Sequence, residues 1–298
     1  MNGALQNPIV LLLATGTLVG LYFPLGKMAN DSGISPLAWA MVVSLGASTL
    51  LMPVLVFKRR LTLPRGKAIR YAIIAGLISF VLPNWLLFSV IPYVGSGYTG
   101  LMFALSPVFT LVLALAFQLK GPRRLGLIGI AIGLIGAIIV TVTRSTEPGA
   151  PATIWIIAAL LIPVALACGN VYRTVAWPDN ACPDGLAFWS HTFSIGIYLS
   201  LLFASNEGTQ SLGELMGSPW LTLSQALVAG MTFPIYFRLQ RYGGPVLLSQ
   251  VGYVAAAVGL IAATVFLEER YSAMTWIGAF VIAIGIAATI RSQSLERK

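Results

Sequence analysis

Of the 298 residues, 57% are hydrophobic and 9% are charged, against about 25% charged in a soluble domain. So few charges cannot cover a water-facing surface, and the outer face must meet lipid. The formal net charge of +9 lies in short gaps between apolar runs, which reads as membrane topology and sets nucleic acid aside.

The first apolar run, 8–28, follows no basic leader and reads as a retained helix, not a cleaved signal. Further runs follow at 36–57, 68–90, 98–118, 125–143, 154–175, 186–204, 221–240, 245–267 and 273–290. Each has about the 20 residues that a membrane helix needs. The longest connection, Ser205 to Trp220, is too small to be a domain. Stretches such as Ile128 to Val142 lack the alternation of a barrel strand. The expectation is therefore an all-α polytopic membrane protein of ten spans. Cys168 and Cys182 form no disulfide framework and no metal set.

Loop charges orient the spans. With the N-terminus cytoplasmic, Lys58, Arg59, Arg60, Arg65, Lys67, Arg70, Lys120, Arg123, Arg124, Arg173, Arg238, Arg241, Arg291, Arg297 and Lys298 fall inside. Of the 18 basic residues only Lys27, Arg144 and Arg270 fall outside. Asp31, Glu147, Glu207, Glu214, Glu268 and Glu269 make the outer side acidic. Both termini are then cytoplasmic.

A shift of 149 residues lays the first five spans on the last five, with a small gap for the third. It superimposes Gly20 on Gly169, Tyr93 on Tyr242, Gly95 on Gly244, Phe117 on Phe266, Gly129 on Gly278 and Gly136 on Gly285. The implied units are 1–147 and 148–298. An odd number of spans per unit makes the second enter the membrane from the opposite side. Inverted halves around a central site are a transporter arrangement.

Several segments carry a family resemblance. They are Tyr22-Phe-Pro-Leu-Gly-Lys27, Ser106-Pro107, Gln118-Leu-Lys120, Gly129 to Gly136, Phe266-Leu-Glu-Glu-Arg270 and Trp276 to Gly285. In this order the chain resembles the drug/metabolite transporter superfamily, in its ten-helix branch with two EamA-type halves. Glu269 fits the family's acidic position. Glu268 stands where glycine is usual, and Lys120 where glutamate is expected. The second span lacks the arginine that many members carry. The resemblance implies a secondary carrier in the cytoplasmic membrane, often an exporter, with a cavity between the halves. The implied partners are the bilayer, a small-molecule substrate, and a proton or counter-substrate. No cofactor is implied, and no Gly-rich loop ending in Gly-Lys-Ser/Thr is present. Monomer and homodimer stay open.

Polar groups inside spans are the candidate cavity residues, because burying them in hydrocarbon is costly. Asn170 and Arg173 are three apart and share a helix face. Arg173 reads either as an anion attractor or as an interfacial residue that snorkels. Asn84 and Trp85 follow Pro83, which frees a carbonyl one turn back, and Tyr236 follows Pro234 in the related span. Tyr22, Tyr98, Gln250 and Tyr253 can line a path, or the tyrosines near helix ends can belong to an aromatic belt. Lys27 is a candidate for substrate or gating work. His191, the single histidine, can couple protons or serve structure. Gly129, Gly133 and Gly136, with Gly278 and Gly285, read as helix-packing stripes. Rival readings are a channel or facilitator, and a membrane-embedded enzyme or scaffold. No metal cluster or catalytic set supports an enzyme.

Overall fold

The computed structural model describes residues 7–119, 121–146, 151–205 and 208–296. Lys120, Glu147, Glu207, Arg297 and Lys298, used in the charge count, lie outside them, as do Pro148 and Gly149 at the expected boundary and the side chain of Arg144.

The described chain is all α-helix. The first half contains α1 (Pro8–Gly20), α2 (Tyr22–Asp31), α3 (Pro36–Phe57), α4 (Lys67–Ala75), a π turn (Gly76–Val81), α5 (Leu82–Val94), α6 (Ser96–Phe103), α7 (Ser106–Ala116) and α8 (Arg124–Thr146). The second contains α9 (Thr153–Val175), α10 (Pro183–Ala204), α11 (Gly208–Gly217), α12 (Pro219–Ser249), α13 (Val251–Phe266) and α14 (Ala273–Glu296). Local chemistry sets the starts. The Asn7 side chain accepts from the Ile9 N–H at 3.0 Å, and the Ser35 hydroxyl accepts from the Ala38 N–H at 3.3 Å. A proline opens each of these helices, where its missing N–H costs nothing.

Among the described residues, eight helical segments are long and apolar enough to cross a membrane, and the bent α12–α13 pair makes up to nine. The protein is a multi-pass membrane protein. The difference from ten spans rests on α12, which is one helix by hydrogen bonding but breaks at Gly244 (φ 70°, ψ −178°). That is a glycine-favouring conformation. Gly95 adopts the same kind of break (φ 95°, ψ 156°) between α5 and α6. The Ser205–Trp220 connection also holds a helix, α11, that hydropathy passed over. The Glu214 carboxylate of α11 accepts from the Ser35 N–H at the start of α3.

Helix directions follow from close glycine contacts. A Cβ on Gly129 of α8 would collide with Thr289 and Gly285 of α14, and one on Gly136 would collide with Gly278 and Ile282. These helices are therefore antiparallel and lie glycine to glycine. α3 and α12 run parallel, with Gly46 against Ala226 and Gly230 against Leu50. α1 and α13 also run parallel, with Gly16 against Val254 and Gly20 against Val258. α6 packs on α13, and α5 and α7 pack on α9. The outward faces of α8 and α14 expose Ile128, Ile135, Ile138, Ile277, Phe280 and Ile284, which suits lipid contact.

Candidate functional site

The site begins at Pro83. Proline cannot donate to the carbonyl of the preceding turn and crowds it. Here the helix widens into the π turn just before Pro83, and the Tyr198 hydroxyl of α10 donates to the Phe80 and Val81 carbonyls at 3.0 and 3.3 Å. The turn presents Ser79 and Phe80, and the start of α5 presents Asn84, to a central cavity. Its other walls are Val19 and Tyr22 (α1, α2), Phe103 and Ser106 (α6, α7), Leu166 and Asn170 (α9), Phe233 and Tyr236 (α12), and residues 248, 249, 251 and 252 around the α12–α13 bend. Both halves contribute. The cavity has about 50 Å³ of open space, and one water needs roughly 10–15 Å³, so it holds a few waters and no sizeable solute.

Arg173 stands at one end of this cavity, 1% exposed. It does not snorkel to an interface. Its Nη2 donates to Asn170 Oδ1 at 2.7 Å, to the Tyr236 hydroxyl at 2.6 Å and to Gln240 Oε1 at 3.2 Å, and its Nε donates to Gln240 Oε1 at 3.3 Å. Nη1 makes no hydrogen bond among the described residues. The guanidinium carbon lies 5.4 Å from the Phe80 ring centre and 5.1 Å from that of Tyr236. Gln240 is oriented in turn by donating to the Asn170 carbonyl and to Thr174 Oγ1. Asn170 donates to Thr110 Oγ1 at 3.4 Å.

No carboxylate pairs with Arg173 among the described residues. The acid nearest in role, Asp184, is taken by Arg238 through two 3.0 Å hydrogen bonds, with Lys58 Nζ at 4.0 Å.

Behind Arg173 the buried rings of Tyr71 and Phe237 meet Trp177, with Tyr71 also stacked on Tyr172 at 6.0 Å. This layer separates the cavity from a vestibule lined by Lys67, Arg70, Tyr172, Trp177 and Asp179. Arg241 lies 5.6 Å over the Trp177 ring at its rim.

The structure gathers Tyr22, Asn84, Asn170 and Tyr236 on the cavity wall, with Arg173 bonded to the last two. Trp85, beside Asn84, is 43% exposed and points away. Lys27 pairs with Asp31 one turn on, at a helix end. Tyr98 is buried, its hydroxyl 3.0 Å from Thr275 Oγ1. Tyr253 packs on Gly133, and its hydroxyl donates to the Ile130 carbonyl at 3.4 Å. Gln250 is buried at the α12–α13 break, and its amide has no partner among the described residues. His191 lies one layer behind the wall, its ring 4.1 Å from Phe80 and 3.9 Å from Phe233. Its Nδ1 is 3.1 Å from Ser44 Oγ, and Nε2 is unpartnered among the described residues. Gln240, Ser79, Phe80 and Phe233 were missed by the sequence reading. The available signal was that Tyr236 and Gln240 are four apart and can face Asn170 and Arg173 from a second helix.

At the far end from Arg173, the Glu269 carboxylate accepts from the Ser96 N–H at 3.2 Å and the Gly97 N–H at 3.3 Å. It thereby caps the start of α6. Tyr271 donates to Glu269, and its hydroxyl also accepts from the Gly97 N–H at 3.1 Å. Burial pushes the Tyr271 phenol above its ordinary range, and the Glu269 carboxylate adds to the shift. Glu268, where the resemblance expects glycine, has φ 54°, so the left-handed turn is kept without the residue that favours it.

Residues 6–142 match the EamA-like transporter family. The EamA-like match runs from the start of α1 into α8 and includes the π turn, Asn84 and both breaks around α6. No curated protein matches the chain. A solved structure titled "Crystal structure of protein" is 17% identical, covers 94% of this chain and 98% of its own, and superposes with a TM-score of 0.65. That likeness is one of fold, and it extends over both halves.

Proposed function

We propose that the protein is a secondary carrier that exports a small solute across the cytoplasmic membrane by alternating access. It has ten spans, α12 counting as two at Gly244, arranged as two inverted repeats, 1–147 and 148–298, with both termini cytoplasmic. The observation that carries this reading is the cavity whose walls come in matching pairs from both halves: α1 with α9, α5 with α12, α6–α7 with α13. The antiparallel α8–α14 pair supports inversion, because a helix and its repeat equivalent are expected to meet head to tail across an in-plane two-fold. Gly95 and Gly244, equivalent under the 149-residue shift, both form breaks. A carrier must close its site between openings, and a cavity with room for only a few waters suits a closed state without substrate. A channel would need a continuous path, which the buried Tyr71 and Phe237 interrupt.

The test is counterflow in liposomes loaded with pools of organic acids, amino acids, nucleobases and amines. Saturable exchange is expected. Conductance that rises without saturation would replace the carrier with a channel.

A further inference from the structure

On the carrier reading, we propose that the substrate is a small organic monoanion, a carboxylate on an apolar or aromatic body, and that Arg173 is the counter-charge that selects it. A buried guanidinium without an anion costs several kcal/mol, because neutral dipoles replace its hydration only in part. The protein keeps that charge among the neutral acceptors of Asn170, Tyr236 and Gln240 and against two aromatic faces. A purely structural role does not require the charge, since a neutral side chain can bridge the same acceptors. The missing component is an anion, and Nη1 retains a donor for it. Guanidinium–carboxylate pairs are the natural complement, being planar and able to form two parallel hydrogen bonds.

The surroundings narrow the class. Asn170, Tyr236 and Phe80 contact Arg173 and also line the cavity, so the guanidinium lies directly behind that wall and meets a carboxylate there once Asn170 or Tyr236 turns aside. The rest of the wall is apolar or neutral, with Phe103, Leu166, Phe233 and Leu248 available for a hydrocarbon or ring. A cation would meet a fixed positive charge and no carboxylate. A doubly charged anion would leave one charge unpaired. The vestibule beyond Tyr71 carries Lys67 and Arg70 with one acid, Asp179, and Arg241 stands at its rim. This excess of positive charge raises the local concentration of anions. Asp184 and Glu269, both in their own hydrogen bonds, do not offset it at Arg173.

The experiment uses the full chain in liposomes, with benzoate and phenylacetate as labelled probes in counterflow. Benzamide, benzylamine and phenyl phosphate are the competitors, and the broad solute pools are run in parallel. The expected result is saturable exchange of the monocarboxylates, with little competition from the amide, amine or dianion. Arg173→Gln should raise the half-saturating concentration about 10- to 100-fold, the range for losing hydrogen bonds to a charged group. Arg173→Lys should recover part of it. Tyr236→Phe, which leaves the charge in place, should change it by less than about tenfold. Should Arg173→Gln fail to purify as a monodisperse protein, Arg173→Lys and the competitor series still decide. Saturable exchange of the amine or the amide in preference to the acids would overturn the substrate class and leave the carrier standing. Saturable exchange from the pools with none of these five probes competing would do the same. Absence of saturable exchange with every pool would remove the carrier reading, and this proposal with it.

Discussion

On the proposed repeat the breaks at Gly95 and Gly244 are counterparts, yet they are held differently. At Gly95 the carboxylate of Glu269, from the second half, accepts from two backbone N–H groups at the start of α6 in the first. At Gly244 the next residue is Pro245, which has no N–H to offer, and no group lies within van der Waals reach of a Cβ placed on Gly244. The proposed repeat sets Lys120 opposite Glu269 in sequence, so that sequence position carries no acid. Near the Gly244 end Asp184 bonds Arg238 within the second half, Lys58 approaches it from the first at 4.0 Å, and Trp189 donates to the Thr62 carbonyl across the halves at 2.9 Å. One end is thus latched across the halves by charge-assisted bonds. The other is closed mainly by aromatic packing around Tyr71, Trp177 and Phe237. On the proposed topology the latched end is external, and among the described residues no hydrogen-bonded carboxylate joins the two halves at the cytoplasmic end.

The largest expected effect comes from removing the latch. Glu269→Ala leaves the Ser96 N–H and the Tyr271 hydroxyl without their acceptor, and leaves the Gly97 N–H with Tyr271 alone. It should shift the balance toward the externally open form by about 2–3 kcal/mol. With Cys168 and Cys182 replaced by alanine, a reporter cysteine at Ser106 should be labelled from outside at least about tenfold faster. Unchanged labelling would mean that the difference between the two ends has no part in opening.

A somewhat smaller effect is expected at the other end. Asp184→Asn removes the charge that holds Arg238, which is partly exposed and can turn to water. It should lower stability by about 1–2 kcal/mol, read as a fall in melting temperature. Because that pair lies within one half, Ser106 labelling should hardly move. A change as large as that of Glu269→Ala would make both ends latches and erase the asymmetry.

Hydropathy found most of the spans, since a long apolar run has few alternatives in a chain this poor in charge. It could not tell which faces meet the cavity. Lipid-facing and core-facing positions are both apolar, so the periodicity that marks the inside of a soluble helix is lost. Trp85 and Asn84 were read together for that reason, although only Asn84 lines the cavity. Asn170 and Arg173 were legible because two polar groups three apart must share a face. Their partners Tyr236 and Gln240 lie more than 60 residues away, and spacing within one helix cannot report a contact with another. The same holds for Glu269, whose acidity was visible but whose partners on α6 were not. The sequence reading ended one span at 240 and began the next at 245, and the backbone breaks between them at Gly244, although the hydrogen-bond pattern runs α12 through it.

The smallest effect sharpens the comparison at the latched end. Tyr271 supports Glu269 with one donated hydrogen bond, so Tyr271→Phe should weaken the latch by about 0.5–1.5 kcal/mol and keep the two backbone bonds. Its pH dependence separates this role from packing. The folded phenol has a raised pKa, from burial first and from Glu269 second, while an unfolded tyrosine titrates near about 10. A raised folded pKa means that the native state holds the proton more tightly. The contribution is therefore complete below about pH 10 and is lost as pH climbs beyond it, because deprotonation then favours the unfolded or unlatched chain. Ser106 labelling from outside should be flat from neutral pH to about 10 and rise above it. In Tyr271→Phe it should start slightly higher, and the part of the alkaline rise due to Tyr271 should vanish. An identical rise in the variant would place the alkaline sensitivity elsewhere and leave Glu269 and the two N–H groups as the whole latch.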